Sequence, residues 1–327
     1  MPENLLEVEN LQTYFYNEPG IVYAVDDVSF DIQPGETLGV VGESGCGKSI
    51  TSQSIMNLVP QPRGKIEGGS INYHMNGEII DITKLDRNGR KMRSIRGNEI
   101  AMIFQEPMTS LTPVYTIGEQ IMEAILLHQN VNKQEARERA ITMLEKVGIA
   151  APEQRVDDYP HQLSGGMRQR AMIGMALSCN PSLLIADEPT TALDVTIESQ
   201  ILDLMNDLQE NLDMAIMFIT HDLGVIGEMA DRVNVMYMGK IVEKATVDDL
   251  FHNTKHPYTK ALLTSIPQIG IKRKLSVIEG SVPSPYDLPS GCYFAPRCKE
   301  SKPECSEKEP AQIKLDSGQE VKCILYK

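Results

Sequence analysis

Apolar residues follow two rhythms along this chain, and the rhythm changes twice. From Leu5 to Tyr16 and from Ile21 to Ile32, Val, Ile, Tyr and Phe are spread as in strands, broken at a Glu18–Pro19–Gly20 turn. Pro34–Gly35 marks a second turn, and the unbroken run Thr37–Val41 behind it predicts a buried strand. Ile50–Leu58 reads as a helix, stopped by Pro60 and Pro62. Ser70–Met75 and Glu78–Thr83 flank Asn76–Gly77, a strong hairpin signal. Ile100–Phe104 predicts one more short buried strand.

From Pro107 the period lengthens to that of a helix. Thr116 with Glu119 forms a capping box before the apolar face Ile117, Ile121, Ala124 and Ile125. Asn132 with Glu135 opens a second helix with the stripe Ala136, Ala140, Met143, Leu144 and Val147, closed at Gly148. An ordinary inserted subdomain packing on itself accounts for both. Strand signals return at Leu183–Ala186, Ala215–Thr220, Val233–Met238 and Ile241–Ala245, with a helical stretch Thr196–Leu212 among them. Alternating strands and helices predict a mostly parallel α/β sheet with an antiparallel portion near the N-terminus. Pro267–Gly291 reads as irregular structure, and no internal repeat is visible.

Composition narrows the function classes. A chain of 327 residues accommodates one large or two ordinary domains. Its formal net charge of −14 argues against nucleic acid or anionic lipid as the main partner, and the absence of Trp weakens any base-stacking surface. No run approaches the roughly 18 apolar residues of a membrane span. Met1–Glu9 carries three acidic residues and no basic one, unlike a secretory signal, so a cytosolic location is expected.

The candidate chemistry gathers at strand ends. Gly42–Glu43–Ser44–Gly45–Cys46–Gly47–Lys48–Ser49 lies between a strand and a helix that continues from Ile50. Glycines there let backbone N–H groups turn onto phosphates, and the helix dipole adds positive potential. Lys48 would reach the β- and γ-phosphates and Ser49 would ligate Mg²⁺. Asp187–Glu188 ends a buried strand, where paired carboxylates need a cation: Asp187 to hold the metal, Glu188 to polarise a water. A helix cap is the plainer role for one of them. His221 follows the strand Ala215–Thr220, and Gln105 follows Ile100–Phe104 with a side chain suited to a metal or water. Leu163–Ser164–Gly165–Gly166–Met167–Arg168–Gln169–Arg170 is a second glycine turn opening a helix, hence a second anion site.

Taken in order, these segments closely resemble the ATP-binding-cassette ATPases over about residues 5–250: Walker A at Gly42–Ser49, Q-loop at Gln105, signature at Leu163–Gln169, Walker B at Leu183–Glu188, D-loop at Ala192–Leu193–Asp194 and switch histidine at His221. The resemblance implies an α/β P-loop NTPase fold with an N-terminal antiparallel portion, an inserted helical subdomain at about 107–180 and a nucleotide-binding domain over 1–255. It also implies a head-to-tail dimer in which Ser164, Gly165 and Gly166 serve a nucleotide held by the partner. An adenine-stacking aromatic is implied within Gln12–Tyr16, with Phe15 favoured over Tyr14 and Tyr16. Cys46 replaces the commoner Ser, so binding should survive while oxidation there would block it. Met167 replaces the commoner Gln.

Gln105–Glu106–Pro107–Met108–Thr109–Ser110–Leu111, Tyr159–Pro160–His161–Gln162, His256–Pro257–Tyr258–Thr259–Lys260–Ala261–Leu262–Leu263 and Val282–Pro283–Ser284–Pro285 are similar to the di- and oligopeptide permease ATPases (the DppD/OppD type), with Thr112 where Asn is usual. That branch implies ATP hydrolysis driving peptide import from the cytoplasmic face of the membrane. The implied partners are a paralogous ATPase subunit or a second copy, two permease subunits and, indirectly, an extracytoplasmic binding protein. A related nickel or other solute importer and a soluble non-transport ATPase are the rival readings.

Four cysteines, Cys292, Cys298, Cys305 and Cys323, crowd the extension 256–327 in a C-x5-C-x6-C-x17-C array. Zinc favours tighter pairs, all-thiolate ligation fits zinc or iron–sulfur, and a site without metal is the plain alternative. The resemblance implies a [4Fe–4S] cluster.

Overall fold

The computed structural model of the chain describes residues 4–75, 77–105, 110–191, 194–265 and 278–326. In chain order the strands are β1 (Leu6–Asn17), β2 (Gly20–Ile32), β3 (Thr37–Val41), β4 (Gly64–Met75), β5 (Glu78–Asp81), β6 (Ile100–Ile103), β7 (Leu183–Asp187), β8 (Ala215–Thr220), β9 (Arg232–Tyr237), β10 (Lys240–Thr246), β11 (Ile313–Lys314) and β12 (Glu320–Val321). The helices that matter for the site are α1 (Lys48–Ile55), α2 (Ile117–His128), α3 (Lys133–Lys146), α4 (Gly165–Leu177), α5 (Val195–Leu212) and α6 (Pro257–Ser265).

The described chain forms two compact units. The first comprises Gln33–Glu36 and Lys84–Ile219. Its strands β6, β7 and β8 lie in that order and run parallel, Ile100 opposite Leu183 and Leu183 opposite Ala215. Every residue of β7 and β8 is buried, which is why both read as unbroken apolar runs without alternation. The helices are set by their caps. Thr116 Oγ1 accepts the Glu119 N–H at 3.2 Å, while Glu119 Oε2 accepts the Thr116 N–H at 2.8 Å. Asn132 Oδ1 accepts from the N–H groups of Gln134 and Glu135, and α3 buries Ala136, Ala140, Met143 and Leu144.

The second unit comprises Asn4–Ile32, Thr37–Thr83 and Thr220–Lys327. It contains an antiparallel sheet of order β2-β1-β4-β5. β4 begins at Gly64, earlier than the apolar pattern from Ser70 indicates, because β1 pairs with it as far as Phe15 opposite Gly64. The unit also holds β3 parallel to β9, with β10, β12 and β11 following in antiparallel succession. α6 and the pair β11–β12 are elements the sequence pattern did not mark. The C-terminal tail is fastened by β12 against β10 and by Glu309, whose Oε1 receives Lys240 Nζ at 2.9 Å and Lys322 Nζ at 2.6 Å. Residues 278–291 form no helix or strand, in keeping with the irregular character expected of them. Asn76, Glu106–Thr109, Ala192–Leu193 and the first part of Pro267–Gly291 lie outside the described residues.

Candidate active site

The loop Gly42–Ser49 is built where β3 hands over to α1. Gly47 is the N-cap residue of α1 and sits at φ 106, a left-handed conformation that favours glycine. A Cβ there would also strike the Ala24 carbonyl oxygen, and one on Gly42 would strike that of Met236. Lys48, only 5% exposed, folds back so that Nζ donates to the carbonyl oxygens of Gly42 at 2.7 Å and Glu43 at 3.2 Å. Ser44 and Gly45 are exposed at the crest, and Ser49 and Ile50 are half-buried at the start of the helix. Cys46 is buried, its Sγ 4.0 Å from Lys48 Nζ, and burial pushes its thiol pKa up despite that cation. Since the thiolate is the reactive form, the buried thiol is a poorer oxidation target than its loop position suggested.

The three candidate aromatics take different surroundings. Thr13 Oγ1 lies 2.8 Å from Ser54 Oγ on α1, and Phe15, two residues on, packs against Gly64. Tyr14 stacks edge-on to Tyr23 and donates to Asp26 Oδ1 at 3.1 Å; burial first, then Asp26, raises its pKa. Tyr16 is exposed and donates to Glu67 Oε1 at 2.7 Å.

In the first unit, the end of β7 gathers a second group. Asp187 is buried as the last residue of the strand. Glu188 follows at φ 48, a strained conformation for a non-glycine residue. It is pinned there by its N–H on the Ile219 carbonyl at 2.8 Å. Its Oε2 accepts from Gln105 Nε2 and from Thr191 Oγ1, each at 3.0 Å. Neither carboxylate caps a described helix: α5 starts at Val195 behind Asp194. Thr191 escaped the sequence reading, although a hydroxyl three residues beyond a strand-end carboxylate was a usable signal.

Ser164 is the N-cap of α4, its Oγ accepting the Met167 N–H at 3.3 Å, with Gly165 and Gly166 opening the helix. Gln169 is buried and donates to the Pro189 carbonyl, joining this helix to the segment after Glu188. In the second unit His221 is exposed just after β8, and Asp222 caps the next turn by accepting the Gly224 N–H at 2.7 Å.

The four C-terminal cysteines share one small module in which no disulfide forms. The Cys292 N–H donates to the Cys305 carbonyl at 2.7 Å, and Cys292 packs on Ala295, Cys305 and Ile324. The Cys305 sulfur accepts the Lys302 N–H at 3.4 Å. Such N–H···S contacts suit thiolate ligands. Without a metal, burial pushes the Cys292 thiol up to about 11 and raises Cys298 and Cys323 as well. Among the described residues no group of three or more His, Cys, Asp or Glu is assembled as a ligand set, so the expected metal site is not formed as such. The donor chemistry fits a thiolate-bound metal; the arrangement of the thiols does not yet.

Two residues touching the loop were not singled out for it. Tyr258 Oη accepts the Glu43 N–H at 3.0 Å, and Arg297 holds the Glu43 carboxylate through two nitrogens.

Residues 25–191 match the family described as ABC transporter, and residues 242–305 match that described as Oligopeptide/dipeptide transporter, C-terminal region. The oligopeptide transport ATP-binding protein AppD of Bacillus subtilis (strain 168) is 57% identical over 323 residues, 98% of this chain and 97% of its own length. The dipeptide transport ATP-binding protein DppD of Escherichia coli (strain K12) is 48% identical over 98% of this chain and 96% of its own length. Among solved structures, the dimeric post-hydrolysis state of the ATP-binding cassette MJ0796 bound to ADP and Pi superposes with a TM-score of 0.65 at 27% identity, covering 74% of this chain and 98% of that one.

Proposed function

This chain belongs to the ABC transporter family, in the branch with an oligopeptide/dipeptide transporter C-terminal region, and from that premise we propose that it binds and hydrolyses ATP to power import of di- and oligopeptides. The observation that carries the reading is the loop Gly42–Ser49, with Gly47 left-handed at the head of α1 and Lys48 buried beneath its carbonyls. Lys48 and the N–H groups of the loop through Ile50 take the β- and γ-phosphates. Ser49, Gln105 and Asp187 offer the hard oxygen donors that suit Mg²⁺, which neutralises phosphate charge when bound. Glu188 polarises the attacking water and His221 contacts the γ-phosphate. Gln105 and Thr191 hold the Glu188 carboxylate in position for that task. Phe15 is the adenine platform: it follows Thr13, whose hydroxyl meets α1, whereas Tyr14 and Tyr16 are engaged with Asp26 and Glu67.

Functionally the chain divides into a nucleotide-binding domain at 1–255, with its helical subdomain at about 107–180, and the extension 256–327. The working unit is a head-to-tail pair with a paralogous ATPase, in which Ser164, Gly165 and Gly166 serve the partner's nucleotide. This pair drives two permease subunits from the cytoplasmic face of the membrane, with an extracytoplasmic binding protein acting indirectly. No helix among the described residues is long and apolar enough to cross a membrane. The cysteines Cys292, Cys298, Cys305 and Cys323 would take up a [4Fe–4S] cluster that staples the tail only on closing into a ligand set that the described residues do not form. Anaerobically purified protein should be brown and contain iron; colourless protein with one equivalent of zinc would discard the cluster.

The reading is tested at Glu188→Gln in the assembled transporter. That variant should bind ATP as the natural chain does and lose at least about a hundredfold in turnover. Hydrolysis at the natural rate would refute the assignment.

A further inference from the structure

One residue of the phosphate loop is held from three sides. The Glu43 carbonyl oxygen receives Lys48 Nζ at 3.2 Å, its N–H donates to Tyr258 Oη at 3.0 Å, and its carboxylate is gripped by Arg297. That grip is bidentate: Nη1 to Oε2 at 2.7 Å and Nη2 to Oε1 at 3.0 Å. The Arg297 side chain is 4% exposed, and its Nη1 also donates to Tyr237 Oη at 3.3 Å. Arg297 also lies over the Tyr237 ring, which packs with Tyr258 and Phe294 at ring centroids 4.7 to 5.3 Å apart. All of these residues belong to the same compact unit as the loop.

Phosphate binding does not itself call for this arrangement. Tyr258 and Arg297 lie 215 and 254 residues beyond Glu43, in the stretch that matches the oligopeptide/dipeptide transporter C-terminal region. An ion pair with one buried partner, Arg297, and one 28% exposed, Glu43, is also a modest source of stability, because desolvation of the arginine offsets much of its attraction. Its recognised use is to fix geometry, and a planar guanidinium fork fixes a carboxylate more tightly than a lysine could. Fixed geometry is what a phosphate loop gains from, since donors already ordered before the ligand arrives do not have to be ordered by it.

We propose that Arg297 and Tyr258 are positioning residues of the phosphate-binding loop, so that the C-terminal extension sets the nucleotide affinity of the cassette through Glu43. The proposal rests on the reading that Gly42–Ser49 binds nucleotide phosphate.

The experiment is a double-mutant cycle on the full-length chain, with Mg²⁺ and a fluorescent ATP analogue as probe and thermal unfolding read in parallel. Arg297→Met and Glu43→Gln should each weaken binding about tenfold, and the double variant should be no weaker than either alone. Arg297→Lys, which keeps the charge without the fork, should fall between. Tyr258→Phe, which deletes one oxygen, should show a smaller loss of the same sign. In the assembled transporter Arg297→Met should raise KM for ATP with less than about a twofold change in kcat. A lowered melting temperature with unchanged affinity in Arg297→Lys and Tyr258→Phe would overturn the proposal, as would losses that add in the double variant. Failure of the natural chain to bind the probe would instead refute the nucleotide site itself.

Discussion

His256 shows at the scale of one residue how the extension couples packing to protonation. It is 1% exposed, its Nδ1 accepts the Tyr258 N–H at 3.1 Å, and its own N–H donates to Glu243 Oε2 at 2.9 Å. Burial, then Lys260, pushes its pKa down to about 3. A protonated ring could not accept at Nδ1, so the folded chain keeps it neutral. An unfolded histidine titrates near 6.5, so below that pH the unfolded chain takes up a proton that the folded one refuses. The stability tied to His256 is therefore complete above about pH 6.5 and drains as pH falls toward 3, by up to about 1.4 kcal/mol per pH unit. Urea unfolding measured between about pH 6.5 and 4 should lose that part of its slope in His256→Asn. An unchanged slope would show that the ring protonates in the folded state. The His–Pro–Tyr segment was visible in the sequence, but this role was not. It depends on burial, to which Phe294 of the C-terminal segment contributes with its ring centroid 5.9 Å away, a neighbour that only the fold supplies.

Elements were legible in proportion to how locally they are specified. The capping boxes at Thr116 and Asn132, the αL position at Gly148 (φ 72) and the apolar runs of β3, β7 and β8 all lie within a few residues of their own cause. β4 was read too short because its first half is defined by a partner strand, and the two-residue strands β12 and β11 exist only through their pairing, β12 with β10 and β11 with β12. The candidate site divides the same way. The loop Gly42–Ser49 is contiguous and was readable, whereas the Gln105–Glu188 hydrogen bond joins residues 83 apart and the Arg297–Glu43 pair residues 254 apart. The caps give a prediction at this scale. Asn132→Ala removes an acceptor shared by two N–H groups at the head of α3, and should cost about 1 kcal/mol. A fall in the denaturant midpoint without a change in slope would report it; no shift would mean that water replaces the cap.

For the whole molecule, the phosphate loop hangs from a strand whose neighbour is made much later. β3 is parallel to β9, and the Thr37 N–H donates to Asp231 Oδ2 at 2.8 Å across a separation of 194 residues. Contacts so distant in sequence form slowly. In refolding from urea, nucleotide binding should return with the slowest major phase, after the helical signal of α2 and α3. Recovery together with the first helical phase would show that the loop forms without β9. The same pairing has a counterpart on the ribosome. At roughly 5–20 residues per second, β9 is synthesised about 10–40 s after β3. Throughout that interval the nascent chain carries a buried-type strand, Thr37–Val41, with its parallel neighbour still unmade. The loop proposed to take ATP is thus translated well before it can be completed, and a prematurely terminated chain lacking β9 would be an aggregation risk before it could be a nucleotide trap.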